Sequence, residues 1–223
     1  MRRNSTIVLS IVFLLAAVSS VAGILSEHFW LHDLFTPLAT ICILALAVSH
    51  WRAFRKSYAL WISVGLFFSL LGDIALLRAE EYFLPGLVAF LFAHIAYPIA
   101  FTRDTKFPAR LSVCFPYLFL AAILYLFLFP RLPVALKLPV AVYAILLTSM
   151  AGQAMARYLA VRSRVAKLAA NGALLLMPSD VFLAFDRFRA PLPRATLLIL
   201  VPYFLGPWLM ASSTSERQLP VTH

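Results

Sequence analysis

The sequence predicts an all-α, polytopic integral membrane protein with eight transmembrane helices. Hydrophobic residues make up 63% of the 223 positions and charged residues only 13%, about half the charge of a typical soluble domain. Apolar stretches of roughly 18–20 residues recur along the chain, and at ~1.5 Å per residue each can cross a ~30 Å hydrocarbon core. A chain with so little charge cannot cover a soluble surface, so the soluble classes are excluded.

Short polar connections separate these stretches, and none is long enough to fold by itself. Because the backbone of a lipid-embedded segment must satisfy its own hydrogen bonds, each stretch is expected to be helical. We therefore predict a single eight-span membrane domain over residues 1–223. Its spans lie at about 7–25, 34–50, 58–77, 83–101, 112–129, 138–156, 167–185 and 195–213.

The first stretch has an alternative interpretation as a signal peptide. MRRNST precedes an apolar run, and Ser20-Val21-Ala22 has the small-x-small pattern of a cleavage site. The apolar run continues to Leu25, however, and is longer than the ~7–15 residues of a signal core. These features favour a first transmembrane helix, with cleavage as the alternative.

The distribution of positive charge predicts the orientation. Of the 19 Lys and Arg residues, 13 fall in the N-terminus, the even-numbered connections and the C-terminal tail, and six fall in the odd-numbered connections. By the positive-inside rule both termini are cytoplasmic, in the inner membrane if the protein is bacterial. The net charge of +10 is thereby explained as a topology signal and an attraction to anionic lipid headgroups. Nucleic acid is not an expected partner.

Two aspartates interrupt the spans and are the first candidates for functional residues. Asp73 lies in SLLGDIALL of the third span, where Gly65, Ser69 and Gly72 share its helical stripe. An unpaired carboxylate in hydrocarbon costs at least ~2.5–3.5 kcal/mol, and small residues allow another helix to approach closely. Asp73 is therefore expected to face protein.

The second aspartate, Asp180, occupies the corresponding place in the seventh span, in LLLMPSDVFLAF. It aligns with a seam of mostly small residues and follows Pro178, which is expected to kink the helix and free a backbone carbonyl. About four residues separate Asp73 and about five separate Asp180 from the outer ends of their predicted spans. Both acids are thus expected at similar depth on the same side of the bundle.

Aromatic and imidazole side chains on the fourth and eighth spans are expected to complete a pocket. Helical spacing places His94 and Tyr97 on one stripe with flanking Phe residues. Tyr203 stands between Pro202 and Gly206-Pro207, where broken helical geometry is expected. A tyrosine follows the first aspartate by 24 residues and the second by 23, so the sequence favours two parallel four-helix repeats.

Several segments resemble the YhhN family of eight-span membrane proteins. They are LLGDIALL, FLPGLVAFLFAHIAYPIAF, VYAILLTSM and NGALLLMPSDVFLAFDRF. The resemblance implies a lysoplasmalogenase, which hydrolyses the vinyl ether bond of a lysoplasmalogen to a fatty aldehyde and glycerophosphocholine or glycerophosphoethanolamine. It also implies that no metal or other cofactor is used, that the substrate is a lysophospholipid from the surrounding membrane lipids, and that Asp73 and Asp180 are the paired catalytic acids.

Two carboxyls suit this chemistry, since vinyl ether hydrolysis needs an acid to protonate carbon and a base to activate water, as in glycosidases. The residues alone do not assign the two roles; the proline beside Asp180 favours Asp73 as the acid and Asp180 as the base. His94, Tyr97 and Tyr203 are expected to bind or position the substrate and water.

Other interpretations remain open from the residues alone. Each aspartate can be a structural hydrogen-bonding partner, and the pair can equally serve as proton-coupled gates of a transporter or lipid-binding protein. His94 can be a packing histidine. Arg78, Arg187 and Arg189 on the outer connections can contact a lipid phosphate or merely anchor the helices at the interface. A zinc hydrolase is disfavoured, because only His94 of the five histidines lies in the interior of a predicted span, while His50 is the last residue of another.

The predicted orientation can be measured by cysteine labelling in a background without Cys42 and Cys114. A cysteine at Glu80 or Arg189 is expected to react with an impermeant maleimide applied to intact cells. A cysteine at Arg55 or Arg162 is expected to react only after permeabilisation, because the positive-inside rule places it in the cytoplasm. The opposite labelling pattern would reverse the orientation.

Overall fold

The computed structural model describes residues 3–105 and 111–215. Its eight α-helices are each long and apolar enough to cross a membrane, which confirms the predicted fold class. A short 3-10 helix, Phe129–Arg131, follows the fifth. The α-helices are α1 Arg3–Leu25, α2 Phe29–Phe54, α3 Ser57–Leu76, α4 Ala79–Phe101, α5 Leu111–Leu128, α6 Val134–Val161, α7 Arg164–Phe188 and α8 Ala195–Ser212.

Some helices are longer than the hydrophobic runs that predicted them. Helix α2 includes His32 and His50, so the expectation that only His94 lies inside a span was wrong. These histidines find partners within the bundle: His32 Nδ1 lies 3.0 Å from Ser20 Oγ, and His50 Nδ1 lies 2.8 Å from Thr214 Oγ1. Internal partners allow polar residues to extend a membrane helix beyond its apolar run.

The helices pack in two similar halves. In the first half α1 packs on α2, α2 on α3 and α3 on α4; in the second half α5 packs on α6, α6 on α7 and α7 on α8. The halves meet where α2 packs on α8 and α6 packs on α4. If the first half is superposed on the second, α2 corresponds to α6 and α4 to α8, so the α2–α8 contact corresponds to the α6–α4 contact. The predicted parallel repeats require this correspondence.

Glycines permit the closest approaches between helices. A Cβ added to Gly172 of α7 would lie 2.5 Å from the carbonyl oxygen of Gly206 of α8. On α3, a Cβ on Gly65 would collide with the ring of Tyr97, and one on Gly72 with the ring of Phe90. The small residues of α3 therefore leave space for the aromatic residues of α4 beside Asp73.

Helix α8 is continuous through Pro202 and Pro207, so the break expected beside Tyr203 is not present. A proline in a membrane helix is tolerated when neighbouring groups satisfy the backbone that it frees. Here Ser179 Oγ of α7 donates a hydrogen bond to the carbonyl of Ile199, 2.8 Å away, in the turn before Pro202. Helix α7 likewise continues through Pro178.

A buried ion pair lies at one end of the bundle. Arg157 of α6 is fully buried, and its Nε and Nη2 donate to the Asp104 carboxylate at 2.8 and 2.7 Å. The guanidinium also lies 4.6 Å from the ring centroid of Tyr58, whose hydroxyl is 2.6 Å from Ser213 Oγ. These contacts join α3, α6, α8 and the segment after α4. We call this end of the bundle the opposite end, because it lies at the other end of the helices from Asp73 and Asp180.

The Arg157–Asp104 pair gives a stability prediction. Asp104→Asn should destabilise the fold by about 3–5 kcal/mol, because it leaves the Arg157 charge buried without compensation. The loss is measured as a lower thermal unfolding midpoint of the purified protein in detergent. The double variant Arg157→Met/Asp104→Asn should recover most of the lost stability. Equal instability of the single and double variants would show that packing, and not the unpaired charge, causes the loss.

Candidate active site

Asp73 lies in the last turn of α3 and is buried, with 5% of its surface exposed. Both carboxylate oxygens accept hydrogen bonds from hydroxyl groups. Thr40 Oγ1 of α2 donates to Oδ2, and the Tyr203 hydroxyl of α8 donates to Oδ1, each at 2.5 Å. The predicted position of Asp73 facing protein is therefore what the structure shows.

Asp180 lies on α7 and is partly buried, with 16% of its side chain exposed. The Tyr143 hydroxyl of α6 donates to Asp180 Oδ2 at 2.9 Å. The same oxygen lies 3.8 Å from His94 Nε2 of α4. This separation is too long for a direct hydrogen bond, but one water molecule can contact both atoms.

The tautomer of neutral His94 follows from its backbone partner. His94 Nδ1 lies 2.7 Å from the carbonyl oxygen of Phe90. A carbonyl oxygen only accepts, so Nδ1 carries the hydrogen and Nε2 presents a lone pair. That Nε2 atom is buried without a hydrogen-bond partner in the structure, and it faces Asp180. A buried acceptor facing a carboxyl group is arranged to receive a proton from it or from a water between them.

Aromatic rings connect the two acids. The His94 ring makes edge contacts with Tyr143 at 4.8 Å and Tyr97 at 6.4 Å between centroids. The Tyr97 hydroxyl lies 2.9 Å from Ser69 Oγ, one turn before Asp73. Tyr203, the donor to Asp73, also lies within electrostatic range of Asp180. All five predicted site residues, Asp73, Asp180, His94, Tyr97 and Tyr203, are thus brought into one polar cluster.

The cluster has the symmetry expected of two repeats. Each aspartate accepts from the preceding helix of its own half, Thr40 of α2 for Asp73 and Tyr143 of α6 for Asp180. Each also meets a ring residue from the fourth helix of the other half, Tyr203 of α8 or His94 of α4. The two sites are equivalent in position but differ in chemistry, because one has a phenol where the other has an imidazole.

An apolar cavity of about 510 Å³ opens beside this cluster. It is lined by α4, α5, α6 and α7, together with Leu76 at the end of α3. Of the two aspartates, only Asp180 lines it, with Tyr143 beside it. Phe90 also lines the cavity and makes an edge contact with the Tyr203 ring at 6.0 Å between centroids. Asp73 therefore lies behind Phe90 and Tyr203, away from the cavity surface.

The cavity occupies one end of the bundle. Its lining comes from the first half of α4 and α6 and the second half of α5 and α7. We call this end, where α3 and α7 finish, the site end. Helix α7 continues to Phe188, so Asp180 lies eight residues, about 12 Å, before the end of its helix, whereas Asp73 lies three residues before Leu76. The two acids therefore differ in their distance from the helix ends, and their equal depth in the membrane stays a prediction.

Sequence reasoning missed two of the contacting residues, Thr40 and Tyr143. Tyr143 lies in VYAILLTSM of the sixth span, one of the segments that carries the family resemblance. Thr40 follows Thr36 by one turn on α2, a polar stripe in an otherwise apolar helix. These spacings mark both residues as inward-facing, but only the packed structure shows which acid each one contacts.

No group of three His, Cys, Asp or Glu side chains lies close enough to hold a metal ion within residues 3–105 and 111–215. Cys42 and Cys114 are both free and buried. The polar groups available at the site are therefore carboxyls, phenols, hydroxyls and one imidazole.

Comparison with known proteins relates the whole arrangement to one family. The model of the YhhN family matches residues 31–214, which include every residue of the polar cluster. The chain is 33% identical over 202 residues to "Lysoplasmalogenase TMEM86A" of Bos taurus, covering 88% of this chain and 83% of that protein. It is 32% identical over 204 residues to "Lysoplasmalogenase TMEM86A" of Homo sapiens, covering 89% and 84%.

More distant relatives have similar names. "Lysoplasmalogenase TMEM86B" of Homo sapiens is 32% identical over 158 residues, covering 69% of this chain and 63% of that protein. No solved structure matches the chain.

Proposed function

This chain belongs to the YhhN family, and from that premise we propose that it is a membrane hydrolase that cleaves the vinyl ether bond of lysoplasmalogens. The products are a fatty aldehyde and glycerophosphocholine or glycerophosphoethanolamine. One observation of the structure carries the proposal: a carboxyl and a phenol meet at the wall of an apolar cavity, and a buried, unpartnered imidazole nitrogen lies 3.8 Å from that carboxyl. The names of the relatives, lysoplasmalogenases, support the substrate class.

The reaction proceeds by proton transfers and needs no redox step. Protonation of the alkenyl β-carbon breaks the double bond and produces an oxocarbenium ion. Water then adds to the α-carbon and loses a proton, which gives a hemiacetal. The hemiacetal collapses to an aldehyde as its hydroxyl proton leaves and the glycerol oxygen takes up a proton. The enzyme must therefore supply an acid, a base and a site that stabilises positive charge.

Asp180 is the proposed general acid, because it is the aspartate that lines the cavity. In its protonated form it retains an acceptor site for the Tyr143 hydroxyl, and its own proton faces the cavity. After transfer to carbon, the carboxylate remains beside the new oxocarbenium ion and stabilises it, as carboxylates do in glycosidases. The apolar lining of the cavity excludes bulk water and strengthens this interaction.

His94 is the proposed base that activates water. Its Nε2 lone pair faces Asp180 Oδ2 across 3.8 Å, and a water held by both atoms would lie beside the cavity. The hydrogen bond from Nδ1 to the Phe90 carbonyl holds the ring in this orientation and stabilises the imidazolium that forms. Returning the proton from His94 to Asp180 restores both groups for the next cycle.

Asp73 has a different proposed role, because it does not contact the cavity. Its two hydroxyl donors, Thr40 and Tyr203, support an ionised carboxylate. Such a charge stabilises the cationic intermediates at longer range and orients Tyr203 between the acids. Tyr97 fixes the ring of His94 by edge contact. The proline beside Asp180 favoured Asp73 as the acid and Asp180 as the base. The proposed mechanism instead makes Asp180 the acid and Asp73 the supporting carboxylate.

The proposed orientation follows the positive-inside distribution. Both termini are placed in the cytoplasm, in the inner membrane if the protein is bacterial, so the site end and its cavity face the outside of the cell. A single-chain lipid in the outer leaflet then places its headgroup at the mouth of the cavity and its chain between the helices. This arrangement agrees with the apolar lining of the cavity.

The first test replaces the carboxyls by amides. Asp180→Asn should lower aldehyde release from a 1-alkenyl lysophospholipid by at least about 100-fold, since general acid-base groups contribute 10²–10⁴-fold. Asp73→Asn should lower it less and mainly in kcat, because Asp73 does not touch the substrate. Aldehyde is measured with purified protein in detergent.

The matched control is Asp33→Asn, which changes an exposed carboxyl on α2 and should leave the activity unchanged.

A second comparison pairs Tyr143→Phe with Tyr117→Phe, since both tyrosines line the cavity. The first should lower kcat about tenfold, because hydrogen bonds to charged groups contribute ~1.5–3 kcal/mol, and the second should not. Activity of Asp180→Asn above about a tenth of wild type would remove Asp180 from the role of acid.

A second test concerns the double bond of the substrate. A 1-alkyl lysophospholipid should bind competitively and remain uncleaved, because only the vinyl ether carbon accepts the proton that starts the reaction. Inhibition of aldehyde release measures its binding. Release of fatty acid from an acyl lysophospholipid at a comparable rate would indicate an esterase and contradict the proposed mechanism.

A further inference from the structure

Cationic side chains rest on aromatic rings at the end of the cavity nearest the last turns of α5 and α7, which we call its mouth. Three such cations lie there: Arg187, Arg189 and Lys137, from two different helices or their ends. Each packs against a ring that lines the cavity or contacts a lining residue. The acid-base mechanism uses none of them.

Arg187 covers one side of the mouth. Its guanidinium carbon lies 5.4 Å from the ring centroid of Phe83, a cavity-lining residue at the start of α4. Its Nη2 donates to the carbonyl of Ala79 at 3.2 Å. Phe83 in turn makes an edge contact with Phe188, also in the lining, at 5.5 Å between centroids. Arg187 is thus held over the junction of α4 and α7, with its remaining N–H groups available.

Arg189 and Lys137 cover the other side. The Arg189 guanidinium carbon lies 4.6 Å from the ring centroid of Phe127, a lining residue on α5. Lys137 Nζ lies 4.1 Å from the centroid of Phe129, which makes an edge contact with the lining residue Tyr125. The three cations therefore surround the opening from α4 to α6.

These charges are not neutralised by carboxylates. None of the three cations forms an ion pair within 4.0 Å with a carboxylate of the described residues; the ion pairs of His94 and Arg157 lie elsewhere. The nearby Asp186 accepts from the backbone N–H of Leu192 at 2.7 Å. Uncompensated cations beside an apolar cavity favour a ligand with an anionic group attached to a hydrocarbon chain.

The distance from the mouth to Asp180 fits one class of lipid. Arg187 follows Asp180 by seven residues, which is two turns on the same face of α7 and about 10 Å along its axis. Six single bonds separate the phosphorus of a lysoglycerophospholipid from its vinyl ether carbon. An extended chain of six bonds spans about 7 Å by comparison with the three-bond repeat of a polypeptide, and the contact between cation and phosphate supplies the remainder.

We propose that Arg187, Arg189 and Lys137 form a phosphate-binding subsite that holds the phosphodiester of a single-chain phospholipid at the cavity mouth, with its 1-chain in the cavity and its ether carbon beside Asp180. The proposal of this subsite rests on the proposed function, which supplies the identity of the reacting bond. It recognises the phosphate that choline and ethanolamine headgroups share, so it selects glycerophospholipids over neutral alkenylglycerols.

The experiment compares a charged and a neutral lipid on one triple variant, Arg187→Gln/Arg189→Gln/Lys137→Gln. For a 1-alkenyl lysophosphatidylcholine, kcat/KM should fall at least about tenfold, mainly through KM. For the 1-alkenylglycerol without phosphate, kcat/KM should change less than about twofold. The matched control is Arg52→Gln/Arg164→Gln/Lys167→Gln, which removes the same charges from the exposed surface of the opposite end and should leave both substrates unaffected.

Three results would overturn the subsite. An equal loss with both lipids would show that the triple substitution disturbs the fold or the catalytic residues. No loss with the phospholipid would show that the cations do not contact its phosphate. An equal loss in the control variant would assign the effect to overall membrane charge.

A binding measurement separates the subsite from the proposed reaction. The uncleavable 1-alkyl lysophosphatidylcholine and 1-alkylglycerol are titrated against wild-type and triple-variant protein, with tryptophan fluorescence as the signal. Weaker binding of the phospholipid alone, in protein that releases no aldehyde from any lipid, would retain the subsite and reject the enzyme activity. If the protein releases aldehyde, but each lipid binds the wild-type protein and the triple variant equally well, the enzyme activity would be retained and the subsite rejected.

Discussion

The structure depends on one constraint: a polar group inside the bilayer must find its partner within the protein. Asp73 has Thr40 and Tyr203, Arg157 has Asp104, and Asp180 has Tyr143. In each case the partner lies on a different helix or in the segment after one, so the hydrogen bonds that make burial tolerable also fix the packing of the helices. His94 Nε2 is the exception among the site residues, since it is buried without a partner. An unpaired acceptor that faces a carboxyl is the feature that favours a chemical role over a purely structural one.

The sequence predicted the fold and the five site residues from properties that are local to each helix. Hydropathy locates the eight spans, and the cost of a carboxylate in hydrocarbon singles out Asp73 and Asp180. The sequence did not predict which side chains meet across helices, because helical spacing shows on which face of its helix a residue lies but not which residue of another helix it contacts. Thr40 and Tyr143 were missed for this reason. Arg157 was assigned to a connection because a charge normally ends a span, but its pairing with Asp104 lets α6 continue to Val161.

Two equivalent acids came to differ because the cavity lies on one side of the cluster. Asp73 and Asp180 have corresponding places in the two halves, and each accepts from a neighbouring helix. The space between α4 and α5 exposes only Asp180, while Phe90 and Tyr203 cover Asp73. In the proposed mechanism this one-sided cavity, together with the imidazole in place of a phenol, is the reason for assigning the acid to Asp180 and the supporting carboxylate to Asp73.

The distribution of polar contacts also distinguishes an enzyme from a proton-coupled carrier. A carrier needs its acids to be reached in turn from both faces of the membrane. Here the cavity lies at the site end, and the opposite end is filled by Arg157 with its partners Asp104 and Tyr58. Opening a path there would expose a buried charge pair and separate four segments that it joins, at a cost of several kcal/mol. A hydrolase has no such requirement, because its lipid substrate and both of its products can use the same opening. The strength of the contacts at the opposite end therefore favours a site that is reached from one side only.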